Sequence, residues 1–388
     1  MRYDAAVIGA GPSGSFCAEN LSKKGFKTIM IDKSSFPRDK TCGGLISRKT
    51  INILGRGVFD EIDCNPVYGI SLDLNGERKP VLIDQSPVGI VVKRREFDYY
   101  LVTRAQNTGV EFKENCLFEG YEKQKDCYKI YTTCGVFYAE YLMGADGVFS
   151  SVAEAGGIRN KWPRWELGMA FCTKVSKEHI KDSQTDRVEF FFPDVISGMG
   201  WCFPGSDFFN IGVGGSFLNG RLVYRAFHDF LYDKIKNKTV TQRLKIEPAF
   251  LPVGGRKRKI SSDKLFLIGD AAGLVDPFSG EGIYYGLRSA QIAAEMANNG
   301  QKGENYEEKC YKIFLNEFRN SAILSIIMAD KKSFLKPNQE EKFLEAIFHI
   351  MTEPPESHCY KKSLFELAKN FPAVVNFPLY WLKRLIFD

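Results

Sequence analysis

A chain of 388 residues is long enough to bury a large core and to form two or three domains. Hydrophobic residues make up 44% of it and charged residues 26%, a composition that excludes a largely disordered protein. The 53 basic and 47 acidic residues leave a net charge of +6, which is too small to indicate nucleic acid, and we expect no such partner.

The ten cysteines are scattered, with no CxxC pair and no histidine at zinc-ligand spacing. We therefore expect reduced thiols, no metal site and a cytoplasmic location. A glycine turn begins at residue 9, directly after the first strand, so we expect no secretory signal. The apolar run at 371–382 contains two prolines and is shorter than the roughly 20 residues of a membrane span, so we expect no transmembrane helix.

The first predicted element is an apolar strand that leads into three spaced glycines and then into a helix, and the next apolar run ends in an aspartate. The first glycine allows a tight turn, the second lets the backbone approach a pyrophosphate, and the third lets the helix pack on the strand. Free N–H groups at the helix N-terminus favour phosphate, and the aspartate accepts hydrogen bonds from a ribose. The pattern predicts a dinucleotide site at Gly9, Gly11, Ser13, Gly14 and Asp32.

The following segments alternate between strand and helix patterns. A polar loop at 34–44 and a helix at 47–54 precede short alternating runs that indicate an antiparallel sheet, at 67–74, 79–84 and 89–93. Helical spacing returns at 96–108, strand patterns occupy 110–113, 128–132 and 138–143, and alternating runs between 165 and 220 predict a second sheet segment. An apolar strand at 265–268, a long helix at 282–298 and helices with proline breaks from 306 onward complete the chain.

Four separated segments carry a resemblance to known proteins: the glycine turn, residues 94–98, residues 144–147 and residues 269–282. Together they resemble the flavoprotein monooxygenases of the p-hydroxybenzoate hydroxylase type. More narrowly, residues 37–44, with their Thr-Cys-Gly-Gly core, and residues 200–204 resemble the geranylgeranyl reductase family. The resemblance implies FAD as cofactor, NADPH, NADH or another electron donor, and a hydrophobic or prenyl-lipid substrate.

The resemblance also implies an α/β fold with a Rossmann-like FAD-binding domain, an inserted antiparallel β-sheet substrate domain and a helical C-terminus. We expect a discontinuous FAD-binding domain at 1–65, 94–160 and 255–300. The substrate domain is expected at 66–93 and 161–254, and the helical region at 301–388.

The segment at 269–282 has a physical logic of its own. Asp270 follows a buried strand and can accept hydrogen bonds from the ribitol hydroxyls of a flavin. The helix that begins near Ile283 offers free N–H groups and a positive dipole end to the pyrimidine edge of the ring. Gly280 and Gly282 have no side chains to obstruct that approach. The resemblance assigns Asp270, Gly282 and Ile283 to FAD.

Two further residues have competing interpretations. Arg94 matches the family arginine on the phosphate side of the flavin, and the alternative is a solvated surface arginine. Asp146 lies in the second fingerprint of these flavoproteins, Gly144 to Gly147, and either contacts the cofactor or holds the loop backbone.

The loop around Cys42 lies over the flavin ring in the resembled reductases. The resemblance therefore implies that Cys42 and Gly43 contact FAD, with Cys42 as the candidate catalytic residue, although single cysteines are more often inert. Trp201 and Phe203 match the family's substrate pattern and lie on one strand face, where they contact substrate or fill the core. Met199 stands where the family tyrosine is expected, which leaves the substrate open.

Hydride transfer is chemistry of the flavin itself, and the four histidines fall outside every motif. We expect an FAD-dependent oxidoreductase that reduces carbon–carbon double bonds of an isoprenoid lipid. The alternatives are a monooxygenase of an apolar substrate on the same scaffold and a flavin electron-transfer protein with a protein donor or acceptor. The run at 377–387 mixes aromatic and aliphatic residues with Lys383 and Arg384, as in a docked terminal helix or a helix in peripheral contact with a membrane.

Overall fold

A computed structural model describes residues 1–73, 82–181, 184–330 and 340–369. Its strands, in chain order, are β1 (Arg2–Ile8), β2 (Thr28–Ile31), β3 (Leu45–Ser47), β4 (Cys64–Val67), β5 (Gly69–Asp73), β6 (Leu82–Ile83), β7 (Gly89–Val92), β8 (Glu111–Lys113), β9 (Phe118–Lys123), β10 (Tyr128–Thr132), β11 (Gly135–Gly144), β12 (Leu167–Ser176), β13 (Arg187–Phe191), β14 (Met199–Pro204), β15 (Phe208–Ser216), β16 (Glu247–Pro252), β17 (Ser261–Ser262) and β18 (Leu265–Leu267).

The helices that these residues form are α1 (Pro12–Lys23), α2 (Arg48–Leu54), α3 (Val58–Glu61), α4 (Arg94–Asn107), α5 (Ser151–Ala155), α6 (Gly220–Lys234), α7 (Ile283–Asn298), α8 (Gly303–Ile327), α9 (Glu340–Thr352) and α10 (Cys359–Lys369). The α/β architecture predicted from the sequence is confirmed. The helices predicted at 47–54, 96–108 and 282–298 correspond to α2, α4 and α7.

The first sheet has the strand order β17-β18-β11-β1-β2-β8, and β9 and β10 extend it beside β11. Its central strands run parallel, and the end of β1 lies between those of its neighbours because Ile8 pairs with both Ile31 and Gly144. Parallel strands are covered by helices on both faces, which explains the buried apolar runs at 5–8 in β1 and 29–31 in β2. In such a sheet the loops after the carboxyl ends of the strands meet at one edge, where ligands bind.

The second sheet has the order β16-β12-β15-β14-β13-β5-β6 and is antiparallel except for one pair. β5 and β13 run parallel, with Arg187 opposite Gly69 and Phe191 opposite Asp73. The sequence predicted an antiparallel sheet for the strand at 67–74, and this prediction was wrong for its pairing with β13. The two strands are far apart in sequence, so no hairpin turn fixes their direction.

The strand predicted at 89–93 does not join the second sheet. Strand β7 forms a small antiparallel sheet with β3 and β4 instead. The pattern at 79–84 lies partly outside the described residues. The domain boundaries drawn from the sequence stay a prediction.

The C-terminal helices cover one face of the second sheet. Phe192, just beyond β13, stacks on Phe278 with ring centroids 5.8 Å apart and meets Phe343 of α9 edge to face. The other face carries α6, a helix that the sequence patterns did not indicate, through Val223 and Phe227. No helix among the described residues is both long and apolar enough to cross a bilayer. The run at 377–387 lies outside those residues.

Candidate active site

The first predicted glycine lies in a turn that excludes any side chain. Gly9 has φ +100°, and a Cβ there would lie 2.7 Å from the carbonyl carbon of Ala145, at the end of the neighbouring strand β11. A Cβ on Gly14 would lie 2.9 Å from the carbonyl carbon of Gly9, so only glycine lets α1 approach β1 this closely. These two glycines have the turn and packing roles that the sequence predicts for them.

The second glycine faces open space at the start of α1. Gly11 is the N-cap residue, it provides no side-chain cap, and the first turn of α1 contains no acidic residue. A Cβ on Gly11 would meet only Arg38, whose Nη2 would be 3.6 Å away. The free N–H groups, the helix dipole and this guanidinium make the position favourable for an anion. Arg38 was missed by the sequence analysis because it lies in an irregular loop whose path no pattern fixes.

Asp32 holds the glycine turn in place. One carboxylate oxygen accepts a hydrogen bond from the N–H of Ala10 at 2.7 Å, and the other accepts one from the N–H of Ser34 at 2.8 Å. The residue is buried at the end of β2. Each oxygen retains a lone pair, so the carboxylate can still accept a hydrogen bond from a ribose hydroxyl.

The segment after β18 returns to the same edge of the first sheet. Gly269 has φ +58°, and a Cβ on it would lie 2.6 Å from the Oγ of Ser13 in the first turn of α1. A Cβ on Gly286, in the first turn of α7, would lie 3.3 Å from the Cβ of Ser13. Ser13 therefore packs between these two glycines and brings the N-terminal turns of α1 and α7 together.

Asp270 and the start of α7 face each other. A Cβ on Gly282, the N-cap of α7, would lie 3.1 Å from Oδ1 of Asp270. The first turn, which begins at Ile283, has no acidic residue and no side-chain cap. Gly280, with φ +67°, lies in the loop just before it. This helix end is thus a second place where free N–H groups and a positive dipole are available beside a carboxylate.

A buried aspartate fixes the loop that leads to Gly280, and the sequence patterns did not point to it. Asp276 is fully buried, and its Oδ1 accepts hydrogen bonds from the N–H of Phe278 at 2.9 Å and the N–H of Ser279 at 2.7 Å. The same oxygen accepts hydrogen bonds from the hydroxyl of Ser321 in α8, at 2.8 Å, and from the hydroxyl of Tyr360 in α10, at 2.9 Å. The C-terminal helices therefore help to set the conformation of this loop.

Asp146 has the loop-holding role that was one of its two interpretations. Its carboxylate accepts hydrogen bonds from the Oγ of Ser150 at 2.6 Å and from the N–H of Val152 at 3.0 Å. Burial raises the pKa of the Asp146 carboxyl, and these hydrogen bonds only partly oppose that effect. Contact between Asp146 and the cofactor stays a prediction.

Arg94 is a buried residue, which excludes the solvated surface interpretation. Its Nε and Nη2 donate to the two oxygens of Asp98 at 2.7 and 2.9 Å. Nη1 of Arg38 lies 3.4 Å from the same buried carboxylate. Burial opposes the charge of Arg94, but the Asp98 carboxylate and the Cys42 side chain beside it outweigh that effect and raise its pKa.

The loop that carries Cys42 is tied to the second sheet. Nδ2 of Asn210 on β15 donates to the carbonyl of Cys42 at 2.8 Å, and the indole N–H of Trp201 donates to Oδ1 of Asn210 at 2.9 Å. A Cβ on Gly43 would lie 3.1 Å from the indole nitrogen and 3.2 Å from the ring of Phe203. Cys42, Gly43, Trp201 and Phe203, predicted separately, thus lie together, and Asn210 is the residue the sequence analysis missed.

The site fits FAD on the geometry of this chain. Two helix N-termini, those of α1 and α7, meet at one edge of the first sheet without side-chain caps. Gly11 leaves space where a backbone-bound phosphate needs it, and Asp32 and Asp270 lie beside the two helix starts. The Cys42 loop contacts Asn210 of the second sheet on one side and Arg94 of α4 on the other.

Comparison with known proteins gives the same picture. A family model described as an FAD binding domain matches residues 2–185. A digeranylgeranylglycerophospholipid reductase of Methanococcus vannielii is 28% identical over 97% of both chains. A menaquinone reductase of Mycobacterium tuberculosis is 30% identical over 76% of both chains.

Solved structures share the fold. A geranylgeranyl bacteriochlorophyll reductase-like protein from Thermoplasma acidophilum aligns over the whole of both chains with a TM-score of 0.75 and 24% identity. The flavin-dependent brominase Bmp2 aligns over 96% of this chain with a TM-score of 0.67 and 18% identity. The FAD binding domain model and the two relatives agree with the glycine turn and the segment after β18. They show that the chain is an FAD-dependent oxidoreductase and belongs to the geranylgeranyl reductase family.

Proposed function

We propose that this enzyme reduces carbon–carbon double bonds in the prenyl chains of a lipid. The observation that carries the proposal is the apolar wall beside the candidate flavin site. Phe278, two residues before Gly280, stacks on Phe192, and the rings of Trp201 and Phe203 stack 6.1 Å apart against Gly43. All four side chains are buried in one apolar cluster, and an apolar environment of this kind beside the flavin suits a hydrocarbon chain and excludes water from the reacting carbons. The names of the relatives above, a digeranylgeranylglycerophospholipid reductase and a menaquinone reductase, support a lipid substrate.

When FAD is bound and reduced, it supplies the hydride for the reaction. The residues of this chain would bind and orient the cofactor. Gly9, Gly11, Ser13 and Gly14 would hold the pyrophosphate side, with Arg38 as counter-charge. Asp270, Gly280, Gly282 and Ile283 would hold the ring side, where the helix dipole of α7 would favour negative charge on the bound flavin.

Cys42 is the residue we propose at the reacting side of the flavin. Its thiol lies beside the buried guanidinium of Arg94 and accepts the N–H of Gly44 at 3.4 Å. Its carbonyl is fixed by Asn210 at 2.8 Å, so the loop has a defined position against Trp201. We expect Cys42→Ala to keep the flavin and to lower the turnover number at least about tenfold, an effect typical of losing a positioned proton-transfer group. Cys134→Ala, which changes an exposed cysteine in the turn between β10 and β11, is the matched control.

The test of the proposed function is anaerobic turnover. The purified holoprotein is reduced with dithionite and incubated with digeranylgeranylglycerophospholipid in detergent, and the products are analysed by mass spectrometry. The proposal expects a gain of two hydrogens for each bond reduced. It fails if the lipid is unchanged without oxygen. Incorporation of a hydroxyl in air would assign monooxygenase chemistry, and reoxidation only by a protein acceptor would assign electron transfer.

The electron donor is identified in the same assay. Dithionite is replaced by NADPH or by NADH, and the rate of flavin bleaching is followed. If dithionite supports turnover and neither nicotinamide does, a protein donor is assigned. A cytoplasmic location and membrane contact through residues 377–387 stay predictions.

A further inference from the structure

A contiguous apolar surface lies on the α6 side of the second sheet, at the rim of a cavity of about 630 Å³. The cavity is lined by Met169 and Phe171 of β12 and by the 3-10 turn Phe217–Asn219 with the start of α6. We call the turn, the first residues of α6 and the adjoining Trp165 the 217–225 surface. Its large side chains are unusually exposed: Trp165, Leu218, Leu222 and Tyr224 have between 44% and 62% of their surface accessible. Single exposed apolar residues are common, but a cluster of this kind marks an interaction site.

A row of aromatic rings extends this surface toward the candidate active site. Phe217 and Phe250 have ring centroids 5.8 Å apart, and Phe250 and Phe149 have centroids 5.6 Å apart. Phe149 is exposed and lies three residues beyond Asp146. Consecutive side chains of β16 point to opposite faces, and the next residue, Leu251, would be 3.7 Å from a Cβ on Gly280. One strand therefore separates the surface from the loop that leads to α7.

The charges around the surface are basic. Arg164, Arg221 and Arg225 are exposed beside the apolar residues. Arg225 is 3.9 Å from Asp229, whereas Arg164 and Arg221 have no carboxylate partner within the described part of the chain. The nearby acid Glu166 is already paired with Arg258 at 3.0 Å. Aromatic and aliphatic side chains with flanking arginines are the composition of helices that lie in the interface of an anionic bilayer.

We propose that the 217–225 surface docks the enzyme on an anionic lipid membrane. Leu218 and Leu222 enter the interfacial region, and Arg164 and Arg221 contact lipid phosphates. This surface shares no residue with the run at 377–387. This proposal rests on the proposed function, because docking would bring the candidate active site to a membrane that contains the prenyl lipid.

Vesicle co-sedimentation of the full-length holoprotein tests the docking step without any substrate. Vesicles of phosphatidylcholine are compared with vesicles that also contain phosphatidylglycerol. We expect the wild type to sediment with the anionic vesicles. The double variants Leu218→Asp/Leu222→Asp and Arg164→Gln/Arg221→Gln should each bind these vesicles at least about tenfold more weakly. Leu117→Asp and Lys125→Gln, at exposed positions of the first-sheet region, should bind like the wild type. Retained flavin in every variant shows that the fold is intact.

Three results would overturn the proposal. The first is a wild type that binds neither kind of vesicle, and the second is a pair of surface variants that bind as tightly as the controls. The third is a wild-type dimer that becomes monomeric in the surface variants without any vesicle binding, which would assign the surface to a second copy of the chain. Measurements of turnover separate failure of the docking proposal from failure of the proposed function. The surface variants should reduce lipid dispersed in detergent at the wild-type rate and lose activity only on lipid in vesicles.

Discussion

The glycine turn shows how one missing side chain controls both backbone geometry and ligand binding. Gly9 has φ +100° and its missing Cβ leaves room for Ala145. Gly25 has φ +87°, but nothing lies within 4 Å of the place its Cβ would occupy. An alanine at either position would carry a similar left-handed backbone cost of about 1–2 kcal/mol. Only Gly9→Ala would also push the turn away from the end of β11.

We therefore predict that Gly9→Ala is purified with little flavin, whereas Gly25→Ala keeps nearly a full complement. The ratio of flavin absorbance to protein absorbance measures the difference. Equal flavin content in the two variants would show that the turn can shift without loss of the cofactor, and the assignment of this loop to the pyrophosphate would be wrong.

Asp146 gives a prediction for the dependence of stability on pH. Burial raises the pKa of this carboxyl in the folded protein, so between the ordinary value of about 4 and the raised value the folded state binds more protons than the unfolded chain. Its contribution is complete below about pH 4, and the free energy of unfolding falls as pH rises through the raised pKa. Asp146→Asn should flatten this slope in urea unfolding curves across that range. Asp126→Asn, at an exposed position, should keep the wild-type slope, and an unchanged slope in Asp146→Asn would contradict the prediction.

At the residue scale, sequence patterns locate groups whose spacing is itself the signal. Gly9, Gly14 and Gly282 could be predicted because each stands at a fixed distance from a strand or helix end. Arg38 and Asn210 could not, because their roles depend on contacts across the fold: Arg38 with Asp98 and Asn210 with the Cys42 loop. A polar residue in a loop or on a strand carries no periodic sign of a partner that is distant in the chain.

At the scale of elements, an ion pair between a buried lysine and a partly buried glutamate connects three helices near the candidate site. Nζ of Lys49 in α2 lies 2.7 Å from Oε2 of Glu281, directly before α7, and donates to the carbonyl of Ile350 in α9 at 2.7 Å. Oε1 of Glu281 also accepts the hydroxyl of Ser47 at 2.5 Å. Because Glu281 stands between Gly280 and Gly282, these contacts fix the loop that we assign to the flavin ring.

Removing one partner of this pair should be more harmful than removing both. Lys49→Met leaves the carboxylate of Glu281 without its cation, which costs about 3 kcal/mol in comparable buried pairs. Lys49→Met/Glu281→Gln removes both charges and should recover a large part of that loss. Urea unfolding of the two variants measures the difference. Lys245→Met, which removes an exposed lysine that pairs with Glu247 at the surface, should leave the stability nearly unchanged. A double variant less stable than Lys49→Met would refute this account.

The direction of a strand pair is the feature of the elements that sequence patterns could not provide. Alternation identified the strand at Gly69–Asp73, but its parallel pairing with Arg187–Phe191 is set by the path of the intervening chain. Helix α6 escaped prediction for a similar reason. Its apolar residues Val223, Phe227 and Phe230 have helical spacing, yet they follow a long series of strand patterns and lie beside exposed Leu222 and Tyr224.

At the scale of the whole molecule, the candidate flavin site unites segments that are distant in sequence. The glycine turn contacts Ala145 and, through Ser13, the segment at 269–286, and the segment at 94–98 reaches the turn through the contact of Asp98 with Arg38. Asp276 then connects the segment at 269–286 to α8 and α10 through Ser321 and Tyr360. The order of the motifs predicts this assembly because it matches a known fold. The covering of the second sheet by the C-terminal helices depends on side-chain packing, which motifs do not encode.

This arrangement predicts that the flavin stabilises the chain as a unit. A ligand that binds only the folded state adds about 2.7 kcal/mol at a free concentration one hundred times its dissociation constant. Removal of FAD should therefore lower the unfolding temperature. It should also increase amide hydrogen exchange at the starts of α1 and α7 together, because Ser13 packs between Gly269 and Gly286.

Helix α6 serves as the internal reference for that measurement. It lies on the face of the second sheet away from the C-terminal helices, with Val223 and Phe227 in a separate apolar cluster. Its exchange should change little when FAD is removed and added back. If protection by FAD were confined to α1 and absent from α7, the chain would hold only the adenosine diphosphate half of the cofactor in this way. The flavin ring would then lie elsewhere, and the assignment of Asp270, Gly282 and Ile283 to the flavin site would be wrong.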